Sequence, residues 1–131
     1  MGQRVITIPL PAAGTDFTLK ATVPMVVKSV TGRFVSSATV ATRNVSFAYY
    51  DASGNLLCVT PADATQAASL TYTYSGFIHA SPSSTVQAND ITVALPELVM
   101  GQRWTLKSVT QDIQAGDQWS ELFAVAWIDD L

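Results

Sequence analysis

The sequence predicts an all-β fold, a single jelly-roll-like antiparallel β-sandwich of about eight or nine strands filling residues 1–131. Three observations predict it. Apolar residues recur with a period of two rather than 3.6 along most of the chain. Gly, Pro, Asn, Asp and Ser punctuate those runs at short, regular intervals, and no stretch reads as a long helix. The connections around 60–69 and 77–91 are longer than a simple meander needs, which suits a Greek-key or jelly-roll path. A chain of this length buries roughly two-thirds of its unfolded surface, enough for one independent core.

Taken in order, residues 4–8 open as a short strand stopped by Pro9 and Pro11. Residues 17–23 alternate, apolar at odd positions, until Pro24, which has no N–H to give a ladder. Residues 25–35 resume in β-branched style with Lys28 and Thr31 outward, and Gly32 marks a bulge or bend. The clearest hairpin joins 44–50 to 56–60 through Asp51-Ala52-Ser53-Gly54-Asn55. There glycine supplies positive φ, and Asp and Asn side chains cap the backbone. Residues 61–68 read as a loop with room for one helical turn, 69–77 as a strand, and 80–89 as the most loop-like segment. Residues 91–95 form a strand ended by Pro96. A second hairpin joins 104–110 to 118–128 through Gln114-Ala115-Gly116-Asp117. In its last strand Trp119, Glu121, Phe123, Val125 and Trp127 share one side by alternation, and Leu122, Ala124, Ala126 and Ile128 are apolar as well. A strand apolar on both faces is either central or covered by a partner subunit. Trp119, Phe123 and Trp127 are therefore the candidate interface with a partner subunit.

Composition narrows the function. Hydrophobic residues make up 48% and charged residues 13%, about half the usual charged share. Thr, Ser, Asn and Gln fill the gap, as on the outer faces of a sandwich or on a surface covered in an assembly. The net charge is −3, and the seven basic residues are scattered singly. No basic stripe for nucleic acid is visible. The lone Cys58, in an apolar run, forms no intrachain disulfide and reads as a buried, inert thiol. No apolar stretch has the length to span a membrane, and the N-terminus lacks the pattern of a secretion signal.

Catalytic machinery is not recognisable, so no enzyme is expected. His79 is the sole histidine, which excludes a two-His metal site, and no Gly-x-Ser-x-Gly elbow or phosphate cradle occurs. Glu97 and Glu121 are the only glutamates. They would suit a glycosidase only if they lined one cleft, and pairing of Glu121 with an arginine is the better expectation. Asp51, Asp63, Asp90, Asp112 and Asp117 fall where aspartates cap turns and strand ends. The tryptophans and Tyr49, Tyr50, Tyr72 and Tyr74 lie in predicted strands, where core or interface is favoured over a sugar-stacking platform. No cofactor and no metal site is expected.

Four phrases carry a resemblance. They are Ile8-Pro9-Leu10-Pro11-Ala12-Ala13-Gly14-Thr15-Asp16-Phe17-Thr18-Leu19, Ala41-Thr42-Arg43-Asn44-Val45-Ser46-Phe47, Ala67-Ala68-Ser69-Leu70-Thr71-Tyr72-Thr73-Tyr74-Ser75, and Leu106-Lys107-Ser108-Val109-Thr110-Gln111-Asp112-Ile113-Gln114-Ala115-Gly116-Asp117-Gln118-Trp119. Together they resemble small structural proteins encoded among the head genes of tailed bacteriophages. The resemblance implies a non-enzymatic virion protein, a capsid decoration (cement) protein that binds the outer shell of the major capsid protein and stabilises it. It also implies homo-oligomers, with a trimer favoured, and a place in the virion after assembly in the host cytoplasm. A neck, tail or fibre component, or a carbohydrate- or receptor-binding module of the particle, is the alternative.

Overall fold

A computed structural model of the chain describes residues 2–80, 85–87 and 89–128. Eleven strands are seen among them: β1 (Gly2–Thr7), β2 (Thr18–Lys20), β3 (Met25–Val35), β4 (Arg43–Tyr50), β5 (Leu56–Gln66), β6 (Thr71–Ile78), β7 (Thr85–Gln87), β8 (Asp90–Leu95), β9 (Val99–Met100), β10 (Thr105–Gln111) and β11 (Gln118–Ile128). They form two sheets. The larger runs β1-β11-β3-β6-β8-β7, with β9 beside β3, and the smaller runs β2-β10-β4-β5.

The chain changes sheet in a regular way. β4 and β5 pair as the inner hairpin, and β3 and β6 pair in the other sheet. Then β10 lies along β4 and β11 along β3, with β2 and β1 outside them. Four strands of each sheet, β1-β11-β3-β6 and β2-β10-β4-β5, therefore wrap as a jelly roll. The all-β, jelly-roll-like sandwich expected from the sequence is what the chain forms.

One pairing departs from the antiparallel expectation. β8 lies parallel to β6, because the chain leaves the end of β6 and returns before pairing. Residues 61–68, expected as a loop, belong largely to β5, which continues through Pro61 to pair Gln66 with Arg43. Proline is tolerated there because β5 is the outer strand of its sheet, and the register shifts between Asn44 and Ser46 absorb the extra residues. Asp63 accordingly sits within a strand rather than at a turn. The expected loop at 80–89 holds β7, and its residues 81–84 and 88 lie outside the described residues.

Alternation builds the core. Phe17, Leu19, Ala21, Val30, Phe34, Val45, Phe47, Tyr49, Tyr74 and Leu106 are all buried between the sheets. Trp119 stands at their centre, with ring centroids 5.1 Å from Phe17, 4.8 Å from Phe34 and 5.7 Å from Tyr74. Its indole N–H donates to Asp16 Oδ1 at 3.2 Å. The same carboxylate accepts from the Ser108 and Thr110 hydroxyls at 2.7 and 2.6 Å and from the Thr110 N–H at 2.9 Å. One aspartate thus ties the segment entering β2 to both β10 and β11.

A second polar knot closes the loop end of the sandwich. Arg43 and Asp117 are wholly buried and form a bidentate pair, Nε to Oδ2 at 2.9 Å and Nη2 to Oδ1 at 3.0 Å. Arg43 also donates to the Ala41 and Thr39 carbonyls, each at 2.9 Å. Asp117 accepts from the N–H groups of Ser37 and Gln114, each at 2.8 Å. The β3–β4 and β10–β11 connections are fastened together by this pair. Burial alone would raise the Asp117 carboxyl; the Arg43 guanidinium and the two N–H donors outweigh it and hold the group at about 2.

Candidate functional site

The feature that decides which side chains reach the outside is a bulge in β11. Ser120 pairs with Arg33 and Phe123 with Thr31, so Glu121 and Leu122 together oppose Gly32. Glu121 adopts the left-handed conformation at φ 51°, the geometry in which a bulge takes up its extra residue. Gly32 is the matching half. A Cβ there would run into the Leu122 side chain and the Trp119 ring, so only glycine leaves room for the bulged strand to press against β3. The irregularity expected at Gly32 lies on its neighbour, not in β3 itself.

The bulge reverses the phase of the strand. Before it, Trp119 points into the core; after it, Leu122, Ala124 and Ala126 point in, and Phe123, Val125 and Trp127 point out. The expectation that Trp119, Glu121, Phe123, Val125 and Trp127 share one side is therefore corrected. Trp119 is 0% exposed and belongs to the core, whereas Phe123 is 41% exposed and Trp127 half-buried. Of the three candidate interface residues, Phe123 and Trp127 lie together on the outer face of the larger sheet, and Trp119 does not join them.

Cross-strand register places other apolar side chains beside these two. Val5 pairs with Val125, Val125 with Ser29, and Ser29 with Phe77, so one outward row crosses β1, β11, β3 and β6. The next row holds Thr7, Phe123, Thr31 and Ser75. On the other side lie Gln3, Trp127, Val26 and Val99. Val5 at 73%, Val99 at 63% and Phe77 at 40% are well exposed. Isolated exposed apolar residues are ordinary, whereas a contiguous group on one sheet face is a candidate surface for a partner. Val99, from a strand that the sequence reading missed, and Phe77 enter this face only through sheet pairing, so no local pattern announces them.

Charge is confined to the two ends of the face. At one end Arg33 and Glu121 form an ion pair at 2.6 Å, both substantially exposed. At the other, Lys28 lies 4.8 Å from the centre of the Trp127 ring and donates to Gln3 Oε1 at 3.1 Å. Beside the bulge, Thr31, Arg33, Thr73, Glu121, Leu122 and Phe123 line an open depression of about 400 Å³.

The other chemically suggestive residues are dispersed. Glu121 pairs with Arg33, as expected of it, while Glu97 lies 3.8 Å from exposed His79. Glu97 follows β8, whose Leu95 pairs with Ile78, whereas Glu121 is level with Tyr74 of β6. Their backbone positions are thus offset by about 13 Å or more along the strands, and the depression beside the bulge is lined by Glu121 but not by Glu97. Cys58 lies opposite Tyr49, and burial pushes its thiol up. Asp51 caps its hairpin, accepting from the N–H groups of Ser53 and Asn55 at 2.9 Å. Among the described residues no cluster of three or more His, Cys, Asp or Glu side chains could hold a metal ion, and no helix is long and apolar enough to cross a membrane.

No protein-family model matches the chain, and no curated protein matches it. Two solved structures are similar. One is a chain of the T13 IBDV viral particle, with TM-score 0.43 and 14% identity over 97% of this chain and 31% of that one. The other is PfGH50B, with TM-score 0.42 and 6% identity over 95% of this chain and 22% of that one. The present chain spans under a third of either.

Proposed function

We propose that this chain is a non-enzymatic structural protein of a virus particle, a capsid decoration protein that docks on the outer shell of the major capsid protein and stabilises it. The observation that carries the reading is the outer face of the larger sheet, where Val5, Phe77, Val99, Phe123, Val125 and Trp127 lie in neighbouring rows among small polar side chains. Such a face is suited to burial against another protein, and repetition over a symmetric shell adds many modest contacts into firm attachment. Two further observations support it. The chain carries few charges for its size, and its sequence resembles small head proteins of tailed phages. Its place would be the virion, assembled in the host cytoplasm.

The test is co-sedimentation of the purified protein with expanded and unexpanded shells. Saturable binding to expanded shells, lost in Phe123→Asp, is the expected result. Failure to bind either form, or absence of the protein from purified particles, would overturn the proposal.

A further inference from the structure

The bulge in β11 also shapes the surface around it. One outward row joins Phe123 to Thr31 and Ser75, and the next joins Ser120 to Arg33 and Thr73. Between them lies the open depression of about 400 Å³, with the small side chains of Thr31 and Thr73, the apolar Leu122 and Phe123, and the Arg33–Glu121 pair around it. That volume falls within the ~300–1,000 Å³ of pockets that hold ring-sized ligands. Most of the lining is apolar. Its two charges are already joined at 2.6 Å, on side chains 48% and 62% exposed. The depression therefore carries no net charge. A carboxylate or an ammonium entering it would lose hydration and find no unpaired opposite charge.

We propose that this depression is the anchor point of the docking face and takes an aromatic side chain with a polar edge, tyrosine or tryptophan, from the shell protein. The inference rests on the reading of this face as the shell-binding surface and names what the shell presents to it. Each part of the lining has a use for such a ring. Phe123 offers an edge-to-face or offset contact, and Leu122 and the threonine methyls take the apolar body. The planar Arg33 guanidinium stacks on the ring face. Glu121 has a second carboxylate oxygen to accept from the phenol O–H or indole N–H. An aliphatic side chain would use only the apolar part. Aromatic side chains seated in pockets carry much of the binding energy of protein interfaces, while near-neutral neighbours exclude water around them. Val5, Phe77, Val99 and Trp127, on the neighbouring strands, supply such a surround.

Amide-detected NMR titration of the full chain with N-acetyl-tyrosinamide and N-acetyl-tryptophanamide reads the site directly. Both probes should bind saturably, with dissociation constants of about 1–10 mM, and should shift the resonances of Thr31, Thr73 and Phe123. N-acetyl-leucinamide and N-acetyl-lysinamide should bind about tenfold more weakly or less. Thr73→Trp, which fills the depression with a ring from the chain itself, should abolish probe binding and weaken co-sedimentation with shells by about tenfold or more. Thr73→Val, which keeps the side-chain shape, should leave both unchanged, and thermal melts establish that both variants are folded. Four probes that bind alike, shifts that fall away from the depression, or Thr73→Trp that sediments with shells as the wild type does would overturn the inference. In that last case, loss of shell binding in Phe123→Asp would leave the decoration reading standing. Aromatic-selective binding by a protein that sediments with no shell would overturn the decoration reading, and with it the shell as the source of the ring.

Discussion

Arg43→Ala is expected to lower the unfolding free energy by about 3–5 kcal/mol, measured by urea denaturation near neutral pH. The size follows from what remains. Asp117 would be left wholly buried with its two N–H donors but without its bidentate cation, and the Thr39 and Ala41 carbonyls would lose their donor. Breaking one side of a buried pair costs more than the pair contributes, because the surviving charge keeps its desolvation penalty. The pair also has a pH signature. The folded carboxyl titrates at about 2 against an ordinary value of 3.8, so its contribution is complete above about pH 4 and is lost as the pH falls towards 2. Wild-type stability should decline over that window, and Asp117→Asn, already less stable at neutral pH, should decline less steeply. Equal slopes in the two proteins would mean that other carboxylates govern acid unfolding.

Trp119→Ala should cost a further large amount, about 3–5 kcal/mol by the same measurement. The indole is fully buried against Phe17, Phe34 and Tyr74, and its removal leaves a cavity where both sheets meet. It also strips one donor from Asp16. Trp127→Ala, eight positions along the same strand, should cost about 1 kcal/mol or less, since Trp127 lies outward beneath Lys28. The contrast tests the bulge itself. In a regular strand Trp119 and Trp127 would share a face and their replacement would cost similar amounts.

Those two tryptophans also show how far the sequence could be read. Period-two alternation located most strands because one face of each is buried, as in 17–23 and 44–50. The same rule misled at β11, where a single extra residue moves every later side chain to the other face. Its trace was present in the sequence, as odd-numbered Trp119 followed by even-numbered Leu122, Ala124 and Ala126, but the pattern equally fits a strand covered on both sides. Arg43 was legible in hindsight, since it alternates in phase with Val45, Phe47 and Tyr49, all of which are buried. Its partner was not, because Asp117 lies 74 residues away in a turn where a capping role is the ordinary reading. The parallel pairing of β8 with β6, and the arrival of Phe77 and Val99 beside Phe123 and Trp127, depend on strand order, which local pattern does not encode.

We propose the outer face of the larger sheet as the surface through which the chain joins its assembly. Hydroxyl-radical footprinting of the protein, free at low concentration and bound on purified particles, tests it most directly. Phe77, Phe123 and Trp127 should lose reactivity on the particle, while Leu56 and Leu57 of β5, exposed on the smaller sheet, should keep theirs. Protection of β5 with Phe123 and Trp127 still fully reactive would place the assembly surface on the smaller sheet instead.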